Sequence, residues 1–80
     1  MMAAFVFVQM AVSGGWADVR ALHGALHAIA GVKTVHFVAG PIDIIVFAEA
    51  ADQTALMEAL GKIRGIKGVS GTDTRIVWPV

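Results

Sequence analysis

Apolar side chains along this chain fall into two kinds of run. Phe5 to Val12 and Ile44 to Ala48 are nearly unbroken apolar stretches with no helical period, bounded by Gly14-Gly15 and by Pro41. Stretches of that kind are strands covered on both faces. Elsewhere the spacing changes. Trp16, Val19, Leu22, Leu26 and Ile29 recur every three or four residues, and Leu56, Leu60 and Ile63 do the same, so each set predicts one stripe of an amphipathic helix. Ser13 or Asp18 is placed to cap the first helix, and Gly31 to stop it in a left-handed turn; Asp52 is the candidate cap of the second, and Gly65 ends it. Ala21, Ala25, Ala55 and Ala59 beside the stripes let each helix lie close to a sheet. Lys33 to Ala39 and Thr72 to Val80 mix polar and apolar residues, as edge strands do, and Pro79 closes the last one where no ladder bond is lost. Ala39-Gly40-Pro41-Ile42 reads as a tight connection.

The pattern is written twice. Laid over residues 51–69 at an offset of 34, residues 17–35 match at ten of 19 positions, among them Asp18/Asp52, Leu22/Leu56, Leu26/Leu60, Gly31/Gly65 and Val35/Val69. Two copies are too few for a solenoid, so they are two halves of one domain. The element order β-α-β-β-α-β, with right-handed crossovers, predicts an α+β ferredoxin-like fold. Two helices then cover one face of a four-stranded antiparallel sheet with strands one and three in the middle. Strand periodicity sorts the central strands. Phe5, Phe7 and Gln9 share a side, as do Asp43, Ile45, Phe47 and Glu49, opposite Val6, Val8, Met10, Ile44, Val46 and Ala48. The aliphatic set suits the helices. Phe5, Phe7, Ile45 and Phe47 are expected to pack sheet-to-sheet against a second subunit.

Composition sharpens that expectation. Eighty residues make a single domain, 1–80, that buries only about 60% of its unfolded surface. Small domains compensate with disulfides, metals or association, and cysteine is absent. Hydrophobic residues are 58% of the chain and charged residues 15%, so a lone copy would expose more apolar surface than monomers carry. Six basic and six acidic residues leave zero net charge, and without a basic cluster no direct nucleic-acid contact is expected. The uncharged N-terminal stretch lacks the basic start of a signal peptide, and Gln9, Ser13, Gly14 and Gly15 interrupt it well short of a span. It reads as a buried strand, with no membrane partner and a cytoplasmic location expected.

Candidate chemistry is sparse. His23 and His27 are four apart on one helix, a spacing that can present two imidazoles to zinc. No third ligand lies nearby in sequence, so packing on the helix flank is the plainer reading and no metal is expected. His36, on an edge strand, reads as packing or interface polarity. With no Cys or Tyr, and Ser13 and Ser70 in Gly-rich turns unlike a nucleophile elbow, no catalytic residue stands out. No phosphate loop is present, and no cofactor is expected. Asp43, after the Gly-Pro turn, fits either a ligand's ammonium group or simple turn hydrogen bonding. Thr72, Asp73 and Thr74 form a second polar cluster, read first as edge solubility. Trp16 and Met57 read as core or interface packing.

Five segments in order carry a resemblance: Ala4-Phe5-Val6-Phe7-Val8, Ile29-Ala30-Gly31-Val32, Val38-Ala39-Gly40-Pro41-Ile42-Asp43, Ile63-Arg64-Gly65-Ile66-Lys67-Gly68-Val69 and Thr72-Asp73-Thr74-Arg75-Ile76-Val77. Together they resemble the RAM (regulation of amino acid metabolism) domain, the effector half of the Lrp/AsnC transcriptional regulators, in a stand-alone version. The resemblance implies a domain that dimerises through its sheets, dimers that assemble into rings such as octamers or decamers, and amino acid effectors bound between dimers. Carried over by position, it implies ligand contacts at Gly40, Pro41, Ile42 and Asp43, with Thr72 and Thr74 as second choice. The regulators carry an N-terminal helix-turn-helix, whereas Met1 here lies almost at the first strand. The chain is therefore expected not to bind DNA itself, and to act alone or by co-assembling with full-length regulators.

The leading reading is thus an oligomeric amino-acid-binding effector domain, not an enzyme. Two others stay open: a small dimeric αβ-barrel enzyme of the monooxygenase kind, for which only Trp16, Trp78 and the histidines are available, and a structural hetero-oligomer subunit.

Overall fold

A computed structural model describes residues 1–12 and 14–78. Six elements follow in order: β1 (Met2–Met10), α1 (Trp16–His27), β2 (Val32–Phe37), β3 (Ile44–Ala50), α2 (Gln53–Arg64) and β4 (Val69–Ile76). The strands form one antiparallel sheet in the order β2-β3-β1-β4. The two continuous apolar runs are therefore the central strands and the two mixed runs the edges, the ferredoxin-like arrangement.

The helices cover one face. Ala4, Val6 and Val8 of β1 and Ile44, Val46 and Ala48 of β3 are buried there against Leu22 and Leu26 of α1 and Leu56, Ala59, Leu60 and Ile63 of α2. Among the described residues no polar side chain is buried in this core. The stripe of α1 is narrower than its spacing implies. Trp16 is 71% exposed and Val19 half-buried, so only the last two turns and Ile29, just past the helix end, reach the interior.

The helix ends differ from one another. Asp52 caps α2 as expected, its carboxylate accepting the Ala55 N–H at 2.8 Å. At α1 the N-cap is Gly15, with φ 73°, and it has no side chain to offer. Asp18 instead reaches back from the first turn to accept the Gly14 N–H at 2.8 Å, the acceptor half of a capping box moved one residue outward. The alternative cap Ser13, and Pro79 at the far end, lie outside the described residues.

The structural repeat is 37 residues, not 34. Both helices have 12 residues and start at Trp16 and Gln53. Each is followed by the same turn, with Ile29 N–H bonded to Leu26 O and Val32 N–H to Ile29 O in one half, and Ile66 N–H to Ile63 O and Val69 N–H to Ile66 O in the other. Gly31 (φ 97°) and Gly68 (φ 101°) are the left-handed residues of these turns. Gly65 is a right-handed C-cap with φ −83°. The sequence overlay misleads because sliding an Ala/Leu stripe by three residues, close to one turn, leaves it nearly on the same helix face. Both edge strands also bulge at their second residue. Lys33 falls between the pairs Val32–Ala48 and Thr34–Phe47, and Ser70 between Met10–Val69 and Gln9–Gly71.

Gly31 and Gly61 should respond oppositely to alanine. A Cβ on Gly31 would lie 2.8 Å from the Glu49 carbonyl oxygen at a positive φ, whereas one on Gly61, exposed in α2, meets nothing within 4 Å. In urea unfolding, Gly61→Ala is expected to stabilise by about 0.5–1 kcal/mol and Gly31→Ala to destabilise by more than about 1 kcal/mol. Asp52→Ala should cost about 1 kcal/mol through the lost cap.

Candidate functional site

Strand alternation places Phe5, Phe7 and Gln9 on the helix-free face of β1. In register beside them stand Phe47 (opposite Phe5) and Ile45 (opposite Phe7) of β3. The Phe5 and Phe47 ring centroids are 4.9 Å apart, and Phe5 is 43% exposed. From β4, Asp73 stands opposite Phe7 and Arg75 opposite Phe5. The Arg75 guanidinium lies 5.6 Å from the Phe7 ring centroid and grips Asp73 with two bonds, Nε to Oδ1 at 3.1 Å and Nη2 to Oδ2 at 3.0 Å. That hydrogen-bonded grip holds the Asp73 carboxyl below the usual carboxylate range and raises Arg75 above its own. The result is an apolar centre with one ion pair at its β4 rim.

At one end of this face the strands part into a corner. Phe7, Gln9, Ile42, Gly71, Thr72 and Asp73 line an open hollow of about 210 Å³. Gln9 spans it, its Nε2 donating to the Pro41 carbonyl at 3.4 Å, with Gly71 directly across. A Cβ on Gly71 would come within 3.1 Å of the Gln9 Oε1. The β2–β3 turn forms the wall. Asp43 ties that turn to β1: its backbone N–H donates to Val8 O at 3.1 Å, and its Oδ2 accepts the Met10 N–H at 2.9 Å. Where β3 leaves the ladder, the Asp43 side chain takes over as acceptor. One of its oxygens is thus committed to the Met10 N–H of β1, a bond across the sheet rather than one within the turn.

Of the six residues singled out in the sequence, Ile42 and Thr72 line the hollow together, although Thr72 stands opposite Val8, so its side chain points to the helix-bearing face. Gly40, Pro41 and Asp43 sit in the adjoining turn, Gly40 with φ 129°. Thr74 stands opposite Val6, so its side chain is on the helix-bearing face, away from the corner. Gln9, Gly71 and Asp73 line the hollow without having been chosen. The signal for two of them was present: Gln9 is the polar member of the Phe5–Phe7 side, and alternation puts Asp73 on the face that Thr72 and Thr74 avoid.

Two other hollows lie on the helix side, related by the 37-residue repeat. One, of about 570 Å³, runs between α1 (Asp18, Ala21, Leu22, Ala25) and the Ile66–Gly68 turn. Its counterpart, about 190 Å³, runs between α2 (Ala55, Glu58, Ala59, Lys62) and Ala30–Gly31. Each helix thus faces the other half's glycine turn across its alanines. Among the described residues no three histidine, aspartate or glutamate side chains gather as a metal site, and no helix is long and apolar enough to cross a membrane.

A family model described as the Lrp/AsnC ligand binding domain matches residues 3–78. The chain belongs to this family. Its members are effector-binding regulatory domains of transcription regulators. TTHA0845 from Thermus thermophilus superposes with a TM-score of 0.83 at 26% identity, over 100% of this chain and 96% of that one. The transcriptional regulator NMB0573 of Neisseria meningitidis, solved as its L-Met complex, shares the fold with a TM-score of 0.80 at 19% identity, over 96% of this chain and 49% of the regulator. Over 52 residues the chain is also 44% identical to a homocitrate synthase of Sulfurisphaera tokodaii, covering 65% of this chain and 11% of that protein.

The ion pair and the turn each yield a measurable outcome. In an NMR titration Asp73 should ionise below the ordinary aspartate value, and Arg75→Ala should bring it back up. Because the folded state lowers this pKa, the pair contributes in full above the unfolded aspartate value and is lost as the pH falls from there through the folded one. Asp43→Ala leaves the part-buried Met10 N–H without its acceptor and should cost about 1–3 kcal/mol in urea unfolding, whereas Asp43→Asn keeps an acceptor and should cost less.

Proposed function

We propose that the chain is an oligomeric sensor of a free amino acid, binding it at the corner formed by the β2–β3 turn, Gln9 and the start of β4. The observation that carries this reading is the position of the corner at the end of an uncovered apolar face. A second copy seated on Phe5, Phe7, Ile45 and Phe47 would convert an open hollow into a walled one. The groups at hand suit a zwitterion. Turn carbonyls, the free Asp43 oxygen and Asp73 can accept from an ammonium group, while Arg75 can receive a carboxylate by charge-assisted bonds. Ile42 and Phe7 offer apolar contact to a side chain. The L-Met complex of NMB0573 makes methionine the first ligand to try. Gly40, Pro41, Thr72 and Thr74 remain part of the proposed contact region, Thr74 only through a change in its surroundings.

In this reading dimers close through the open face and assemble further into a ring, such as an octamer or decamer. The bound amino acid alters that assembly, or a mixed assembly with full-length Lrp/AsnC-type regulators, so that transcription is modulated without DNA contact by this chain. The likeness to a homocitrate synthase segment supports a second reading, in which the same effector module regulates an enzyme.

Two experiments test the proposal. Sedimentation of Phe7→Glu should show a shift to the monomer, because burying an unpaired carboxylate in a sheet-to-sheet contact costs several kcal/mol; an unchanged oligomer would refute the interface. A thermal-shift panel of the twenty amino acids, at about 100 times the dissociation constant, should show a stabilisation of about 2.7 kcal/mol for the cognate ligand. Asp73→Ala should abolish that response while leaving the oligomer intact. No response to any member of the panel would leave the structural-subunit reading in its place.

A further inference from the structure

Away from this corner, α1 carries a histidine pair that the effector reading does not use. His23 and His27 are both exposed, and their ring centroids are 4.5 Å apart, edge to face. His23 is braced by Phe37 of β2, ring centroids 5.6 Å apart. Gly24 beside the pair has no side chain, and a Cβ built there would meet nothing within 4 Å, so solvent reaches the pair freely. His27 lies in the last turn of the helix, where the C-terminal carbonyls favour positive charge.

We propose that His23 and His27 form a bidentate surface site for a late first-row divalent cation, copper(II) or zinc(II), with water in the remaining positions. The geometry admits one. Metal–nitrogen bonds of about 2.1 Å put each ring centroid about 3.2 Å from the ion, so ligand angles of about 90–109° separate the centroids by about 4.5–5.2 Å. The observed spacing lies at the near end of that range, and chelation would turn the two rings out of their edge-to-face arrangement so that one nitrogen of each meets the ion. Copper(II) should bind more tightly than zinc(II), following the usual order for nitrogen ligands. Arg20, three residues before His23 on the same flank, opposes the charge, which places the site in the weak, exchangeable class rather than among structural metals.

The test is independent of the effector site. Isothermal titration of the untagged full chain with copper(II), then zinc(II), in a non-coordinating buffer should saturate at one ion per chain, copper the tighter. His23→Ala and His27→Ala should each weaken binding on the order of tenfold or more, since losing a direct ligand costs at least what losing a supporting partner does; His36→Ala should leave it unchanged. Both side chains are exposed, so an unchanged circular dichroism melt should accompany the loss. Substoichiometric copper(II) should broaden the His23 and His27 imidazole resonances before that of His36. Absence of saturation up to millimolar metal, equal binding by the His23→Ala/His27→Ala double variant, or first broadening at His36 or the N-terminus would each overturn the site.

Discussion

A four-stranded sheet has two faces, and this chain has helices for only one. On the covered side, Val6, Val8, Ile44, Val46 and Ala48 are sealed beneath α1 and α2 in a core where no polar side chain is buried among the described residues. On the other, the same strands present Phe5, Phe7, Ile45 and Phe47, because successive side chains of a strand alternate in direction and both central strands are apolar at nearly every position. Water against those rings is the standing cost that association would remove, and the ion pair of Asp73 and Arg75 at the rim limits how another surface can approach.

The internal duplication shapes the molecule at every scale. Twelve-residue helices, identical post-helical turns, left-handed Gly31 and Gly68, and bulges at Lys33 and Ser70 recur at the same interval. The two halves diverge where one of them must do something particular. Beyond β1 the chain passes through Gly14 and Gly15 into α1, while beyond β3 it enters α2 through the Asp52 cap. The corner with Gln9, Ile42 and Gly71 has no counterpart, since only one β–β turn exists, and it is there that the Asp43 carboxylate substitutes for a missing ladder partner. Symmetry thus accounts for the scaffold, and its breakdown marks the candidate binding region.

How much of that region could be read beforehand depended on the reach of each signal. The Gly-Pro turn is legible because turn chemistry is local, whereas a ligand role for it comes only from the family resemblance, and for Asp43 the residues alone leave ligand and turn bonding open. Thr72 and Thr74 enter the site only through the family resemblance, and alternation sends their side chains to the helix side and gives the open face to Asp73. Gln9 and Gly71 meet only because β1 and β4, more than sixty residues apart in the chain, pair in one particular register; nothing local in either segment indicates it. The overlay at 34 residues falls three short of the true interval, since helix stripes of alanine and leucine tolerate such a slide whereas the glycine turns do not.

What the amino acid sequence determined alone was the element order, the central and edge strands, the aliphatic and aromatic faces, and the cap at Asp52. These follow from periodicity and from short-range hydrogen bonding, which act within a turn or a few residues. Tertiary structure alone decided the true interval of the repeat, the exposure of Trp16, the commitment of Asp43 to Met10, the convergence of Gln9, Ile42, Gly71 and Asp73, and the Arg75 grip beside Phe7. Each of those depends on strand register and on how far a helix overhangs its sheet, and both are settled only when distant segments pack together.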